Sequence, residues 1–167
     1  QNMALINYLK IRKIPLYIAR LFCFEIYYKN NGKKYFSIAF QNDSGGFELR
    51  NKYFKGCSGS KDITIFKNNS DTLHLFEGFT DFLSYMTLAP NKTNEDFIIT
   101  NSTSLVRKSV KYLKNYDIVK TFFDNDNSGK NATELIKANC QKKFINESIK
   151  FKGYKDVNDY LVFKSLK

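Results

Sequence analysis

The chain has 167 residues, 43% hydrophobic and 26% charged, which are globular proportions that exclude a disordered tail, a collagen-like fibre and a membrane bundle. Lys and Arg number 27 against 16 acids, a net charge of +11, and the excess is uneven. Residues 1–61 hold 11 basic side chains and three acids while the remainder is nearly balanced, so a polyanion-binding surface is expected on the first third. No apolar run approaches the roughly 20 residues that span a bilayer, and no secretory signal opens the chain. Gln1 in place of methionine reads as the start of a piece of something longer.

In chain order, Leu5, Ile6, Leu9 and Ile14 fall at helical spacing across Met3–Ile14, and Pro15 separates them from a second short helix over Tyr17–Phe22. The period then switches to two. Glu25–Lys29 and Tyr35–Phe40 read as strands joined through Asn30, Asn31 and Gly32, a hairpin signal. Asp43-Ser44-Gly45-Gly46 is a second turn leading into Phe47–Asn51. These residues form a basic front part of two helices and an antiparallel meander, 1–62. From about Ile63 short apolar strands alternate with helices: strand Thr72–Phe76, helix Phe79–Leu88, strand Phe97–Thr100, helix Leu105–Lys114, strand Ile118–Phe123, helix Ala132–Lys142, strand Ser148–Phe151 and helix Val157–Leu166. The alternation predicts an α/β unit over 63–167, a parallel sheet with helices on both faces.

Ligands of such a sheet bind at the carboxyl ends of the strands. The first strand ends at Glu77-Gly78, with Asp81 one turn into the helix, and the third ends Asp124-Asn125-Asp126-Asn127-Ser128-Gly129. Near the fourth, Lys155-Asp156-Val157-Asn158-Asp159 adds two acids at a helix start. Glu77, Asp124, Asp126 and one of Asp156 or Asp159 are thus expected on one edge. Carboxylates without histidine or cysteine suit hard divalent ions such as Mg2+ or Mn2+. Asp156 and Asp159 also suit the positive end of a helix dipole, a purely local role. Asp124–Gly129 opens like a calcium-binding loop, but the twelfth position is Leu135 and an apolar strand precedes it, which argues against an EF-hand. Cys23, Cys57 and Cys140 are too scattered for a disulfide framework or a zinc knuckle, so no zinc is expected. His74, the single histidine, lies in an apolar strand and reads as a packed core imidazole.

A Glu-Gly strand terminus followed by D-x-D-x-x-G after an apolar strand resembles the Toprim domain of bacterial (DnaG-type) primases, topoisomerases and some nucleases. Lys155-Asp156-Val157-Asn158-Asp159-Tyr160-Leu161 is similar to the closing segment of the primases, which usually carry an Asp where this chain has Asn158. Asp43–Arg50 is similar to the hairpin, with its arginine, of the basic subdomain that precedes the primase Toprim domain. The nearest likeness is to Toprim proteins of plasmids and mobile elements.

The resemblance implies a cytoplasmic DNA-replication enzyme, a nucleotidyltransferase making short RNA on single-stranded DNA from ribonucleoside triphosphates with two divalent ions. A replicative helicase would be engaged through regions outside this chain, and no membrane partner is expected. Asp124 and Asp126 would be the principal metal ligands, Glu77 a ligand or base, and Asp156 or Asp159 a further ligand. Gly78 and Gly129 would allow close backbone approach, and Arg50, Lys52, Lys55 and Lys61 would grip template or triphosphate. A Toprim nuclease, or a non-catalytic nucleic-acid-binding module with an idle acidic site, is the alternative. A topoisomerase would need a separate tyrosine-bearing domain that this length cannot hold.

Overall fold

The front of the chain is ordered by its turns. In the computed structural model, which describes residues 1–165, α1 (Met3–Ile11) and α2 (Leu16–Phe22) precede a four-stranded antiparallel sheet, β1 (Cys23–Asn30), β2 (Lys33–Gln41), β3 (Phe47–Arg50) and β4 (Lys55–Ser58). Asn31 and Gly32 between β1 and β2 both take positive φ (47° and 76°), the two-residue turn whose twist matches that of the strands it joins. The second turn is held by Asn42, whose Oδ1 accepts from the N–H groups of Ser44 (3.1 Å) and Gly46 (2.9 Å).

The second sheet comprises β5 (Thr64–Phe66), β6 (Thr72–Phe76), β7 (Asp96–Ile99), β8 (Ile118–Phe122) and β9 (Lys143–Asn146), in the order β5-β7-β6-β8-β9. All neighbours are parallel except β5, which pairs antiparallel with β7 at the edge. β6 is followed by α3 (Phe79–Leu88), α4 (Val106–Ser109) lies between β7 and β8, α5 (Asn127–Asn139) follows β8, and α6 (Val157–Lys164) closes the chain. From β6 the chain moves to β7 on one side and then crosses to β8 on the other. The direction of winding therefore reverses at β6, where a crevice opens beyond the strand ends.

Alternation along the strands divides the core. Phe76, Phe97 and Phe122 pack with α3, α6, both front helices, Ile38 and Phe40. On the other face Leu73, Leu75, Ile98 and Val119 pack with Val106, Leu113, Ala132 and Ile136. The sheet is covered on both sides, as expected for parallel strands.

The structure differs from the sequence reading in four places. Ser148–Phe151 is not a strand; the fourth parallel strand is β9, and Glu147–Phe151 is a 3-10 turn opened by Asn146, whose Oδ1 accepts from the Ser148 N–H. The expected helix Leu105–Lys114 breaks into α4 flanked by 3-10 turns, Thr103–Leu105 and Val110–Asn115. α5 begins at Asn127, a full turn before Ala132, because Asp126 caps it there. β4 and β5, of four and three residues, carry too little alternation to be read from sequence. The predicted end of the last helix, Leu166, lies outside the described residues.

His74 is fully buried in β6, stacked on Phe122 (centroids 5.4 Å apart), with Nε2 2.6 Å from Glu95 Oε2. Burial lowers its pKa to about 4, so it is a neutral core ring at neutral pH.

Candidate metal and nucleotide cleft

Register carries the acids to one place. Phe76 and Phe122 are paired across β6 and β8, so Glu77 and Asp124 leave neighbouring strands at the same edge. Asp81 stands in the first turn of α3, and Asp156 is the N-cap of α6, where it accepts from the Asp159 N–H at 2.7 Å. Asp81, Asp124 and Asp156 each offer a carboxylate oxygen, all within 4.8 Å of one another.

These groups are short of compensating charge. Burial, followed by the charges of Asp156 and Asp124, pushes Asp81 well above the usual carboxylate range. Burial raises Asp124 to about 6, with Asp156 adding to the shift and Lys155, 3.8 Å from Asp124 Oδ2, opposing it. Burial raises Glu77 to about 7, and Asp124 and Asp126 act in the same direction; its Oε2 is buried without a hydrogen-bond partner. Three hard oxygens at this separation, short of positive charge, suit a small divalent cation.

The other predicted acids are placed differently. Asp126 caps α5, its Oδ1 accepting from the Gly129 N–H at 2.9 Å, while its charge still reaches Glu77 and Asp124. Asp159 turns back to accept from the Lys155 N–H at 3.1 Å. Its own N–H donates to the N-cap Asp156, so the Asp159 carboxylate closes the start of α6 and lies outside the trio. Asp81 was noted in the sequence beside Glu77-Gly78 but not singled out as a ligand, although its position three residues after a strand-ending glycine was available as a signal.

The two glycines differ. A Cβ on Gly129 would lie 2.8 Å from both the carbonyl carbon and the amide nitrogen of Asp124, so only glycine lets α5 start against that strand end. A Cβ on Gly78 would make ordinary 3.6 Å contact with Asp81 Oδ2.

The antiparallel sheet forms the opposite wall. Phe40 of β2 stacks on Phe79 at the start of α3 (5.1 Å, 9°), and the Arg50 guanidinium lies 5.6 Å above the same ring. That packing brings Arg50 and Lys55, cross-strand partners in β3 and β4, to the strand ends that carry Glu77. Lys61 lines the same cleft, whose volume is about 410 Å³. Lys52 does not; it lies 5.3 Å from the Tyr53 ring and lines neighbouring pockets, one of them shared with Arg12 and Asn158. The cleft thus sets carboxylates at the strand ends against cations on a neighbouring sheet, an arrangement able to hold a metal-bound polyphosphate.

A family described as Toprim-like matches residues 74–161, more than half of the chain, and a domain of unknown function matches residues 1–59. A search of curated proteins finds no match. Among solved structures, the primase fragment of the bacteriophage T7 primase-helicase protein is similar at TM-score 0.60 and 19% identity, over 84% of this chain and 62% of that one. A chain from the bacteriophage T7 lagging-strand DNA polymerase interacting with primase domains bound to an RNA/DNA hybrid and dTTP is similar at TM-score 0.60 and 17% identity, covering 93% and 88%. The Aquifex aeolicus primase (zinc-binding and RNA polymerase domains) is similar at TM-score 0.53 and 15% identity, covering 95% and 55%. This chain therefore spans under two thirds of the T7 primase fragment and about half of the Aquifex protein. Among the described residues no helix is long and apolar enough to cross a membrane. The strand order, the acidic edge and these matches agree: the chain belongs to the Toprim-like family and has the fold of a primase-type Toprim core.

Proposed function

We propose that this chain is the catalytic core of a primase-like nucleotidyltransferase, which joins ribonucleotides on a single-stranded DNA template. One observation carries the reading: the trio Asp81, Asp124 and Asp156 faces Arg50, Lys55 and Lys61 across a single cleft. A nuclease needs the acids alone; a polymerase also needs cations to seat the triphosphate and the template. We divide the chain as the sequence suggested, into a basic front part over 1–62 and a Toprim domain over 63–167. The last strand of the first sheet ends at Ser58 and the second sheet opens at Thr64, which supports that boundary.

Asp81, Asp124 and Asp156 would hold Mg2+ or Mn2+, with Glu77 and Asp126 at the margin for a second ion. Bound there, the ions would supply Lewis acidity at the reacting phosphate and hold the attacking 3′ hydroxyl in line. Glu77, its pKa raised to about 7 by burial, would be suited to take the proton of that hydroxyl as the new P–O bond forms and pyrophosphate leaves. Arg50, Lys55 and Lys61 would orient the triphosphate and neutralise the charge that moves onto pyrophosphate.

The test is incorporation of labelled ribonucleotides on single-stranded DNA with Mg2+ or Mn2+. Short RNA from the wild type and none from a folded D124N variant is the expected result. Metal-dependent cleavage of the template without incorporation would replace this reading with the nuclease.

A further inference from the structure

The two sheets end on β1 and β4 and on β5 and β9, and among the described residues β1 is the longest of these edges, eight residues against four, three and four. Its register with β2 runs unbroken from Cys23–Phe40 to Asn30–Lys33, with neither a bulge nor a proline to blunt it. The two-residue turn closes on the Asn30–Lys33 pair, and hydrogen-bonded and open pairs alternate from there. Asn30, Tyr28, Ile26 and Phe24 therefore exchange hydrogen bonds with β2, while the N–H and C=O groups of Lys29, Tyr27 and Glu25 point to the open edge. Cys23 keeps the same phase: its N–H donates to the Ala19 carbonyl and not to β2. Among the described residues β1 has no strand neighbour but β2.

Along this edge the strand carries one acid and one base. Glu25 and Lys29 are exposed, Tyr27 between them is 65% exposed, and among the described residues neither charge forms an ion pair. The Glu25 carboxylate is held in place by the Asn2 N–H, which donates to both of its oxygens at 3.0 and 3.1 Å. Lys29 stands directly opposite Lys34 of β2, a like-charge pair that costs stability. A carboxylate laid along the open side of Lys29 would offset that repulsion. A second β1 supplies one: an antiparallel copy centred on Tyr27 sets Glu25 against Lys29 and Lys29 against Glu25. The neighbouring registers do not, since centring on Ile26 opposes Glu25 to Tyr27 and centring on Tyr28 opposes Lys29 to Tyr27. In the Tyr27 register Ile26 also meets Tyr28 on the other face, a favourable aromatic and β-branched pair.

We infer that β1 is a self-association edge, through which two copies of this chain join about a two-fold axis at Tyr27. The two four-stranded sheets then continue as one. The outward pairs Glu25–Lys29, Tyr27–Tyr27 and Lys29–Glu25 each exchange two backbone hydrogen bonds. Such a contact uses the same patch on both copies and closes at the dimer. No residue of β1 lines the acidic cleft, so the pairing is independent of the nucleotidyl-transfer reading.

The test is sedimentation velocity of the full chain over a concentration series, in about 0.15 M salt, where a Debye length of about 8 Å screens the net charge of +11. The wild type should show a monomer–dimer equilibrium. K29E turns two attractive pairs into two repulsive ones and should weaken dimerisation about 10- to 100-fold. E25K should do the same. Mixed in equal amounts, E25K and K29E should form a heterodimer, because the lysines of one then face the acids of the other at both pairs. A loss of dimer through altered folding would not be restored by mixing. Y27P removes an outward N–H that β2 does not use and should leave a folded monomer, which keeps the test decisive where E25K fails to fold. A wild type that stays monomeric throughout overturns the inference and leaves the edge to an extended segment of a different protein. A dimer that K29E and Y27P leave intact overturns it in favour of another surface. Growth beyond the dimer overturns it too, since an open-ended contact is not the two-fold one.

Discussion

Gly129 faces the backbone of Asp124 so closely that any side chain there would have to displace it: a Cβ would fall 2.8 Å from the Asp124 carbonyl carbon and amide nitrogen. The helix that Asp126 caps is thereby pressed against the strand end carrying a candidate ligand. Gly129→Ala should destabilise the protein by about 2–3 kcal/mol, the scale of overpacking against unyielding backbone, and should weaken metal binding by moving Asp124. Chemical denaturation with and without Mg2+ measures both; a neutral substitution would show that the contact relaxes freely.

Mg2+ or Mn2+ should raise Tm, because an ion bound only by the folded state stabilises by about 2.7 kcal/mol at 100 times its Kd. For a chain of this size that is a rise of roughly 5–10 °C. Asp81→Asn and Asp124→Asn should abolish the rise and make the metal-free protein more stable, since each removes one carboxyl group from a crowded, partly buried trio whose ionisation is unfavourable. Asp159→Asn should keep the rise, as that carboxylate is outside the trio and accepts from the Lys155 N–H. Asp71→Asn should keep it too, since Asp71 lies at the opposite ends of the strands, where its carbonyl accepts from Asp117 and Ile118. A response to Ca2+ alone would point instead to the Asp124–Gly129 loop.

Without metal, Glu77 and Asp124 should make stability fall as pH rises. Their folded pKa values, about 7 and about 6, exceed the ordinary 4.5 and 3.8, so between about pH 4 and 7 the folded state binds more protons than the unfolded. The stabilisation is complete below the unfolded values and lost by pH 7. His74 works in the opposite sense: its folded pKa of about 4 lies below the ordinary 6.5, so stability falls as pH drops through that interval. The contribution of the acids is therefore read as the difference between wild type and an E77Q/D124N double variant, whose pH–Tm curve should slope less steeply downward. Parallel curves would refute it.

Single-stranded DNA should bind with strong salt dependence, log Kd shifting by about 0.7 per neutralised phosphate for each decade of salt. K55A and K61A should weaken binding of Mg2+-ATP in the cleft more than K52A does, because Lys55 and Lys61 line the cleft with the carboxylates and Lys52 lines only the neighbouring pockets. Equal losses from all three in nucleotide titrations would mean a diffuse electrostatic effect in place of a built site.

The sequence by itself determined the elements whose signals are local. Thr72–Phe76 and Phe79–Leu88 were legible to the residue, because an apolar run bounded by a Glu-Gly stop and a helical stripe ending before Pro90 leave few alternatives. The Asn31-Gly32 hairpin was legible for the same reason. Glu77 and Asp124 were legible as edge acids, since a strand end in a parallel sheet has one place to be.

Helix acids were not. Asp81 and Asp159 are each the third residue of their helix, and nothing local separates them. Tertiary structure does. α3 packs against α6 and the front part, burying Asp81 beside Asp156 and Asp124 under the Asn158 N–H. Asp159, on the open side of α6, closes its own helix end. Ser148–Phe151 failed similarly: Ile149 and Phe151 alternate like a strand, but Ser148 Oγ donates to the Phe123 carbonyl at 2.7 Å and the segment turns there. A residue's type is written in the chain, but its desolvation and its neighbours arise from packing, and these decide which carboxylates face a cation and which end a helix.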